Sequence, residues 1–144
     1  MILGIDFGTS NSCCSYFSGK ENRVITNEYG NEIYPTCIAF NKYSDEILYS
    51  NSAYDLTSNK DVTVIKNIKG LIGSPSDETD IEGTDIDVMY NNNLKKFTIN
   101  EIVVLYLNYL KNTISIRFKL LLLIMLSLAF VAHYFMRDKL DLLK

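Results

Sequence analysis

The segment Leu3–Ser12 (LGIDFGTSNS) constrains most strongly what the amino-terminal part of this chain can form. It predicts a short apolar strand that delivers the carboxylate of Asp6 to the tip of a tight hairpin. Gly8 would let the backbone approach a ligand closely, because it has no side chain. Consecutive backbone N–H groups at such a turn can form an anion-binding nest, to which Thr9 and Ser10 add hydroxyl donors. The residues alone fit both a phosphate-binding turn and a plain hairpin.

Short apolar or alternating runs separated by polar turns predict further strands, and the first of them predict an antiparallel meander. A run of three asparagines between the last two strands indicates a hairpin turn. The predicted strands are Ile2–Asp6, Ser12–Phe17, Arg23–Thr26, Thr36–Phe40, Glu46–Tyr49, Val88–Tyr90 and Lys95–Thr98.

Two segments predict helices. The first runs from Thr63 to Ile72, where apolar residues fall on one helical face, and Gly73 followed by Pro75 is a typical helix stop. The acidic and polar stretch Ser74–Asp87 then predicts an exposed loop. The second helix opens at Thr98 and Glu101, which have the spacing of a capping box. Its predicted apolar stripe consists of Val103, Leu107, Leu110 and Ile114.

Composition narrows the possible functions. The 144 residues allow one domain with a modest core, and 47% apolar with 22% charged residues is typical of a folded protein. The net charge of -3 offers no basic surface, so we expect no nucleic-acid partner. Cys13 and Cys14 are adjacent and would point to opposite faces of a strand, and with Cys37 they make three cysteines without a disulfide or zinc pattern.

The two ends of the chain bear on its location. Met1 leads directly into an apolar strand without a basic, signal-like region, and the expectation is a cytoplasmic protein. Residues 120–136 carry no formal charge if His133 is neutral, and such a run is at the lower limit for a membrane-spanning helix. Membrane association through residues 120–136 is therefore the alternative, but it is not favoured.

The hairpin segment resembles the first phosphate-binding motif of the actin-like ATPase superfamily, in the form used by the heat-shock seventy-kilodalton (DnaK-type) chaperones. It is not a P-loop, because no GxxxxGK[ST] sequence occurs. Further segments resemble the same family in the same order, and together they cover about residues 2–112. These segments are Asn27–Asn31 with Tyr34–Phe40, Val64–Gly73, and Phe97–Lys111.

The resemblance implies an α/β fold, a partial actin-like ATPase (ribonuclease H-like) lobe with a mixed sheet. ATP or ADP and magnesium are the implied ligands. Asp6 would hold Mg²⁺ through water, with Gly8 at the turn, and Thr9 and Ser10 would contact the β- and γ-phosphates with Asn11 close by. Lys69 matches the family's catalytic lysine, which helps to orient the attacking water and stabilises charge on the γ-phosphate. The family has an arginine after this lysine, whereas this chain has Gly70.

Residues 1–115 would then be the amino-terminal part of a nucleotide-binding domain (lobe I), and residues 116–144 a divergent apolar tail. The tail fits a frame-disrupted end, a strand or helix of an incomplete lobe, or a membrane segment. The family's second phosphate motif, second lobe and substrate-binding domain have no match here. The family couples ATP hydrolysis to client release, but we expect no hydrolysis from this chain alone.

Two functional hypotheses follow. The first is a truncated chaperone of this family, an ATP-binding fragment for ATP-dependent protein folding. Unfolded polypeptides or co-chaperones would be its partners through a full-length homologue. The alternative is a non-catalytic interaction module or remnant, attached to a membrane if the apolar tail serves as an anchor.

Overall fold

The computed structural model describes residues 2–17, 19–72, 85–117 and 119. Its first sheet is antiparallel, with the order β1-β2-β3 and with β4 paired to β2 beyond the hairpin. The predicted meander is confirmed, because β1, β2 and β3 each lie within a residue or two of their expected places, whereas the short β4 was not predicted. The strands are β1 (Ile2–Phe7), β2 (Asn11–Phe17), β3 (Asn22–Ile25) and β4 (Tyr34–Pro35).

Alternation along β2 separates the two faces of this sheet. Cys14 is buried and faces the core with its neighbour Ile25 on β3, whereas Cys13 is half-buried on the other face. The two adjacent thiols therefore point in opposite directions, as the sequence predicts.

The second sheet is built around the central strand β5, which pairs with β6 on one side and β7 on the other, both antiparallel. Residues 37–40 of β5 are all buried, because this strand is covered on both faces. A short helix, α1, follows β6 and was not predicted. The bounds are β5 (Cys37–Asn41), β6 (Ile47–Tyr49), α1 (Ser50–Tyr54) and β7 (Val62–Lys66).

The helix predicted over Thr63–Ile72 is wrong for most of its length. The segment forms strand β7, then a single helical turn, α2 (Ile68–Leu71). The four consecutive residues from Val62 to Ile65 are β-branched or strand-favouring, and their pairing with β5 outweighs the helical spacing of the apolar residues. Asn67 separates the two elements in a left-handed conformation, with φ 55° and ψ 40°.

The predicted second hairpin is confirmed as β8 (Ile86–Tyr90) and β9 (Asn93–Phe97). Asn91 and Asn92 form the turn with φ of 50° and 60°, the positive values that a two-residue hairpin turn requires and that asparagine tolerates. Strand β8 replaces the last residues of the loop predicted over Ser74–Asp87. Residues 73–84, with the predicted helix stop, lie outside the described residues.

The second predicted helix is confirmed as α3, residues 99–117. The capping box forms as expected: Thr98 N–H donates to Glu101 Oε2 at 2.8 Å, and Glu101 N–H donates to Thr98 Oγ1 at 3.2 Å. The predicted apolar stripe is only partly correct, since Leu107 is 37% exposed. The buried positions follow i, i+4 steps instead and include a tyrosine, which the predicted stripe left out; they are Ile102, Tyr106, Leu110 and Ile114.

Helix α3 packs its buried face against the core that joins all three sheets. Phe7 of β1 meets Tyr106 with ring centroids 6.0 Å apart, and Phe40 of β5 meets Phe97 of β9 at 4.8 Å. No helix within the described ranges is long and apolar enough to cross a membrane. The apolar run at 120–136, including His133, lies outside the described residues.

Candidate functional site

The tip of the β1–β2 hairpin is a tight turn at Gly8, Thr9 and Ser10. Its last strand pair is Phe7 with Ser12. A Cβ added at Gly8 would lie 2.2 Å from the carbonyl oxygen of Asn11, a distance at which two such atoms overlap. The turn therefore requires glycine for space at this position, in addition to any need of a ligand.

The backbone donors at the tip are open. In the described part of the chain, no hydrogen bond uses the backbone N–H of Thr9 or Ser10. Both residues are exposed, as is Asn11. Two successive unpaired N–H groups on a rigid turn are suited to bind an anionic oxygen.

A layer of hydrogen bonds behind the tip holds it in place. The Ser10 carbonyl accepts a hydrogen bond from Thr36 N–H at 2.9 Å, and the hydroxyls of Ser12 and Thr36 lie 2.8 Å apart in a buried contact. Tyr106 of α3 donates from its hydroxyl to the carbonyl of Pro35 at 3.0 Å. Burial raises the pKa of Tyr106 to about 12, although the nearby Ser12 and Thr36 hydroxyls oppose this shift. The phenol therefore stays neutral and keeps its proton as a donor.

Asp6 lies one strand pair before the end of the hairpin, opposite Cys13. Its side chain is exposed and points to the face of the sheet away from Phe7 and the core. Among the described residues, no group of three or more His, Cys, Asp or Glu side chains could hold a metal ion. A cation at Asp6 would therefore need water and the oxygens of a ligand to complete its coordination.

The α2 turn lies directly beside the hairpin tip. Ser10 Oγ is 3.4 Å from Asn67 Oδ1, and a Cβ built on Gly70 would lie 3.4 Å from Thr9 Cγ2. The structure thus brings the segment of Lys69 next to Thr9 and Ser10. Lys69 itself is exposed, and in the described ranges no hydrogen bond or ion pair joins it to Asp6.

A cleft of about 610 Å³ opens beside Ser10 and Asn67. Lys66 lines it, with its ammonium 4.7 Å from the ring centroid of Tyr54. Sequence reasoning missed Lys66 and Asn67, because the segment was interpreted as one helix; a strand followed by a turn would have put them beside the hairpin. The side chains that carry polar groups in this lining, besides the thiol of Cys37, are Ser10, Asn11, Thr36, Asn51, Tyr54, Asp55, Lys66 and Asn67.

Cys37 also lines this cleft, but its thiol is not a candidate nucleophile. Burial raises its pKa to about 11, and its Sγ donates to the carbonyl of Ser50 at 3.2 Å. A thiol that keeps its proton reacts slowly, since the thiolate is the nucleophilic form. The groups that this region offers to a ligand are therefore N–H, hydroxyl, amide, carboxylate and ammonium groups.

These features define the class of the protein. Several antiparallel sheets with few helices form a mixed α/β unit consistent with part of an actin-like ATPase lobe, and the open glycine turn lies at its first hairpin. A family model described as Hsp70 protein matches residues 2–116 of the 144. The chain therefore belongs to the Hsp70 family of chaperones, whose members are nucleotide-binding ATPases.

Proposed function

We propose that this chain binds ATP or ADP through the β1–β2 hairpin, as the phosphate-binding part of a chaperone's ATP-binding domain. The observation that carries the proposal is the pair of backbone N–H groups at Thr9 and Ser10, which have no hydrogen-bond partner among the described residues and stand next to Gly8, where a Cβ would overlap the Asn11 carbonyl oxygen. Membership of the Hsp70 family supports nucleotide as the anion, because the family consists of nucleotide-binding ATPases.

The remaining site residues have distinct parts in this proposal. The phosphate oxygens would accept from the N–H groups of Thr9 and Ser10, with the Asn11 amide at the edge of the same surface. The exposed carboxylate of Asp6 would hold water molecules of a magnesium ion bound to those phosphates. Lys69 would supply positive charge from the adjacent turn, and phosphoryl transfer depends mostly on such positioning and charge neutralisation.

Client and co-chaperone binding are part of the same proposal, at the level that family membership supports. Nucleotide binding to this lobe would be the step that a chaperone of this family couples to the binding and release of unfolded polypeptide. The hairpin contributes only the nucleotide binding to that coupling.

The test is calorimetric titration of magnesium-ATP into the purified chain. The proposal requires saturable binding in the micromolar range, with a loss of at least about tenfold in Asp6→Asn, equivalent to about 1.4 kcal/mol. Asp87→Asn is the matched control, since Asp87 is an exposed strand carboxylate on β8. No binding at millimolar nucleotide would refute the proposal.

A second set of variants tests whether Lys69 is the lysine that neutralises the γ-phosphate. Lys69→Ala should weaken ATP more than ADP, because only ATP has a γ-phosphate for Lys69 to neutralise. Lys66→Ala removes the neighbouring cation in the cleft and is the matched control. If Lys66→Ala has the larger, ATP-selective effect, the role proposed for Lys69 belongs to Lys66.

A further inference from the structure

Asn67 combines three features that neither the family match nor the sequence pattern assigns to it. It is a non-glycine residue in the left-handed region, it starts the α2 turn, and its side chain reaches across to the hairpin. Asparagine is among the few residues that tolerate this conformation, since its short polar side chain can hydrogen-bond locally. A non-glycine residue held in that region near a binding site invites a functional explanation.

The side chain of Asn67 joins the two parts of the candidate site. Ser10 Oγ donates to Asn67 Oδ1 over 3.4 Å, a long contact between exposed groups. The backbone carbonyl of the same Asn67 accepts from Gly70 N–H at 2.8 Å and so closes the turn that carries Lys69. Asn67 is therefore hydrogen-bonded both to the hairpin tip, through its side chain, and to the lysine turn, through its backbone carbonyl.

The contact of Ser10 Oγ with Asn67 also affects which group of Ser10 can bind an anion. A serine hydroxyl has a single proton to donate, and the long contact of 3.4 Å directs it towards Asn67 Oδ1. The backbone N–H of Ser10 has no partner in the described residues and stays open. The side chain of Ser10 thus contacts Asn67, while its backbone N–H remains available to a ligand.

We propose that Asn67 is a positioning residue, which accepts the Ser10 hydroxyl proton and thereby fixes the hairpin tip against the lysine turn. The inference rests on the proposed function for its ligand, a nucleotide phosphate. In this proposal the backbone N–H of Ser10 donates to that phosphate, and the hydroxyl of Ser10 donates to Asn67.

The first experiment needs no nucleotide. Asn67→Gly keeps the positive φ and removes the carboxamide, and Asn67→Asp keeps both the conformation and an acceptor oxygen. Amide exchange is measured by NMR at Thr36, whose N–H is bonded to the carbonyl of Ser10 at 2.9 Å. We expect faster exchange in Asn67→Gly and in Ser10→Ala, and retained protection in Asn67→Asp. Asn41 N–H, bonded to Glu46 at 3.1 Å, is the control amide and should not change.

The second experiment measures magnesium-ATP affinity in the same full-length variants, provided that each keeps the melting temperature of the unmodified chain. Asn67→Gly should weaken binding by about three- to tenfold, the range for one lost hydrogen bond. Ser10→Ala should do the same, and the double variant should be no weaker than the worse single variant, because both remove one contact.

Three results would overturn the inference. They are unchanged exchange at Thr36 in Asn67→Gly, effects on affinity that multiply in the double variant, and tighter binding in Asn67→Gly, which would mean that Asn67 competes with phosphate for the proton. If the exchange results hold but the unmodified chain binds no ATP, the proposed function fails and the positioning contact stands as a feature of the fold.

Discussion

Gly8 and Asn11 approach each other so closely across the hairpin tip that a Cβ on Gly8 would lie 2.2 Å from the Asn11 carbonyl oxygen. We therefore predict that Gly8→Ala forces the turn open, with a loss of unfolding free energy on the order of 2 kcal/mol. Urea denaturation followed by circular dichroism measures this loss. Calorimetry should show that the same variant no longer binds magnesium-ATP.

Gly4→Ala is the matched control for Gly8→Ala. A Cβ at Gly4 would lie 3.0 Å from Ser15 Oγ, which is the end of a side chain that can rotate away. Both substitutions add one methyl group to the same hairpin, but only the methyl group at Gly8 would overlap a backbone atom. Equal losses of stability in the two variants would contradict the steric account of Gly8.

Gly70→Ala tests the packing of the lysine turn against the tip. Gly70 is a helical position without positive φ, and its added methyl would make ordinary contact with Thr9 Cγ2 at 3.4 Å. Alanine restricts the unfolded chain more than glycine does, so we expect a gain of about 0.4–1 kcal/mol in unfolding free energy. Thermal unfolding measures it, and a clear loss would show that α2 lies closer to Thr9 than the structure has it.

The strands and the capped helix could be predicted from the sequence, because their signals are local. Strand β2 alternates, Asn91 and Asn92 fill a two-residue turn, and Thr98 and Glu101 cap α3 within a few residues of chain. Strand β7 could not be predicted in this way. Its apolar spacing also fits a helix, and only its partner β5, which lies more than twenty residues earlier, decides between the two.

The residues of the candidate site also fall into those that a local sequence signal identifies and those that it does not. The hairpin residues Asp6 to Asn11 are contiguous, so one segment of sequence identifies them. The neighbours of the tip are not contiguous: Asn67 meets Ser10 across 57 residues, and Tyr106 reaches Pro35 across 71. These contacts depend on how β7 and α3 pack, and no local pattern specifies that packing.

The capping box of α3 should contribute measurably to stability. Thr98→Ala removes the oxygen that accepts from Glu101 N–H, and we expect a loss of about 1 kcal/mol in unfolding free energy. Glu101→Gln should lose less than Glu101→Ala, because the amide oxygen can still accept from Thr98 N–H. Urea titrations of the three variants give these differences. A loss in Glu101→Gln as large as in Glu101→Ala would indicate that charge, and not the reciprocal hydrogen bond, stabilises this end.

Buried thiols should make the fold sensitive to alkaline pH. Burial raises the pKa of Cys14 and of Cys37 from 9.0 to about 11, so each thiol stays protonated longer in the folded than in the unfolded chain. This stabilisation is fully present below the unfolded value of 9.0 and is lost as the pH rises towards about 11. The loss should be on the order of 3 kcal/mol for each thiol.

Urea midpoints measured under reducing conditions across that pH range test the effect of the thiols. Cys14→Ala and Cys37→Ala should each flatten the alkaline fall in stability, even though both lower the stability at neutral pH by removing buried atoms. Tyr106, whose pKa rises from 10.0 to about 12, contributes a further fall that both variants retain. The quantity to compare is therefore the slope of stability against pH. A slope as steep in both alanine variants as in the unmodified chain would show that these thiols do not control the alkaline transition.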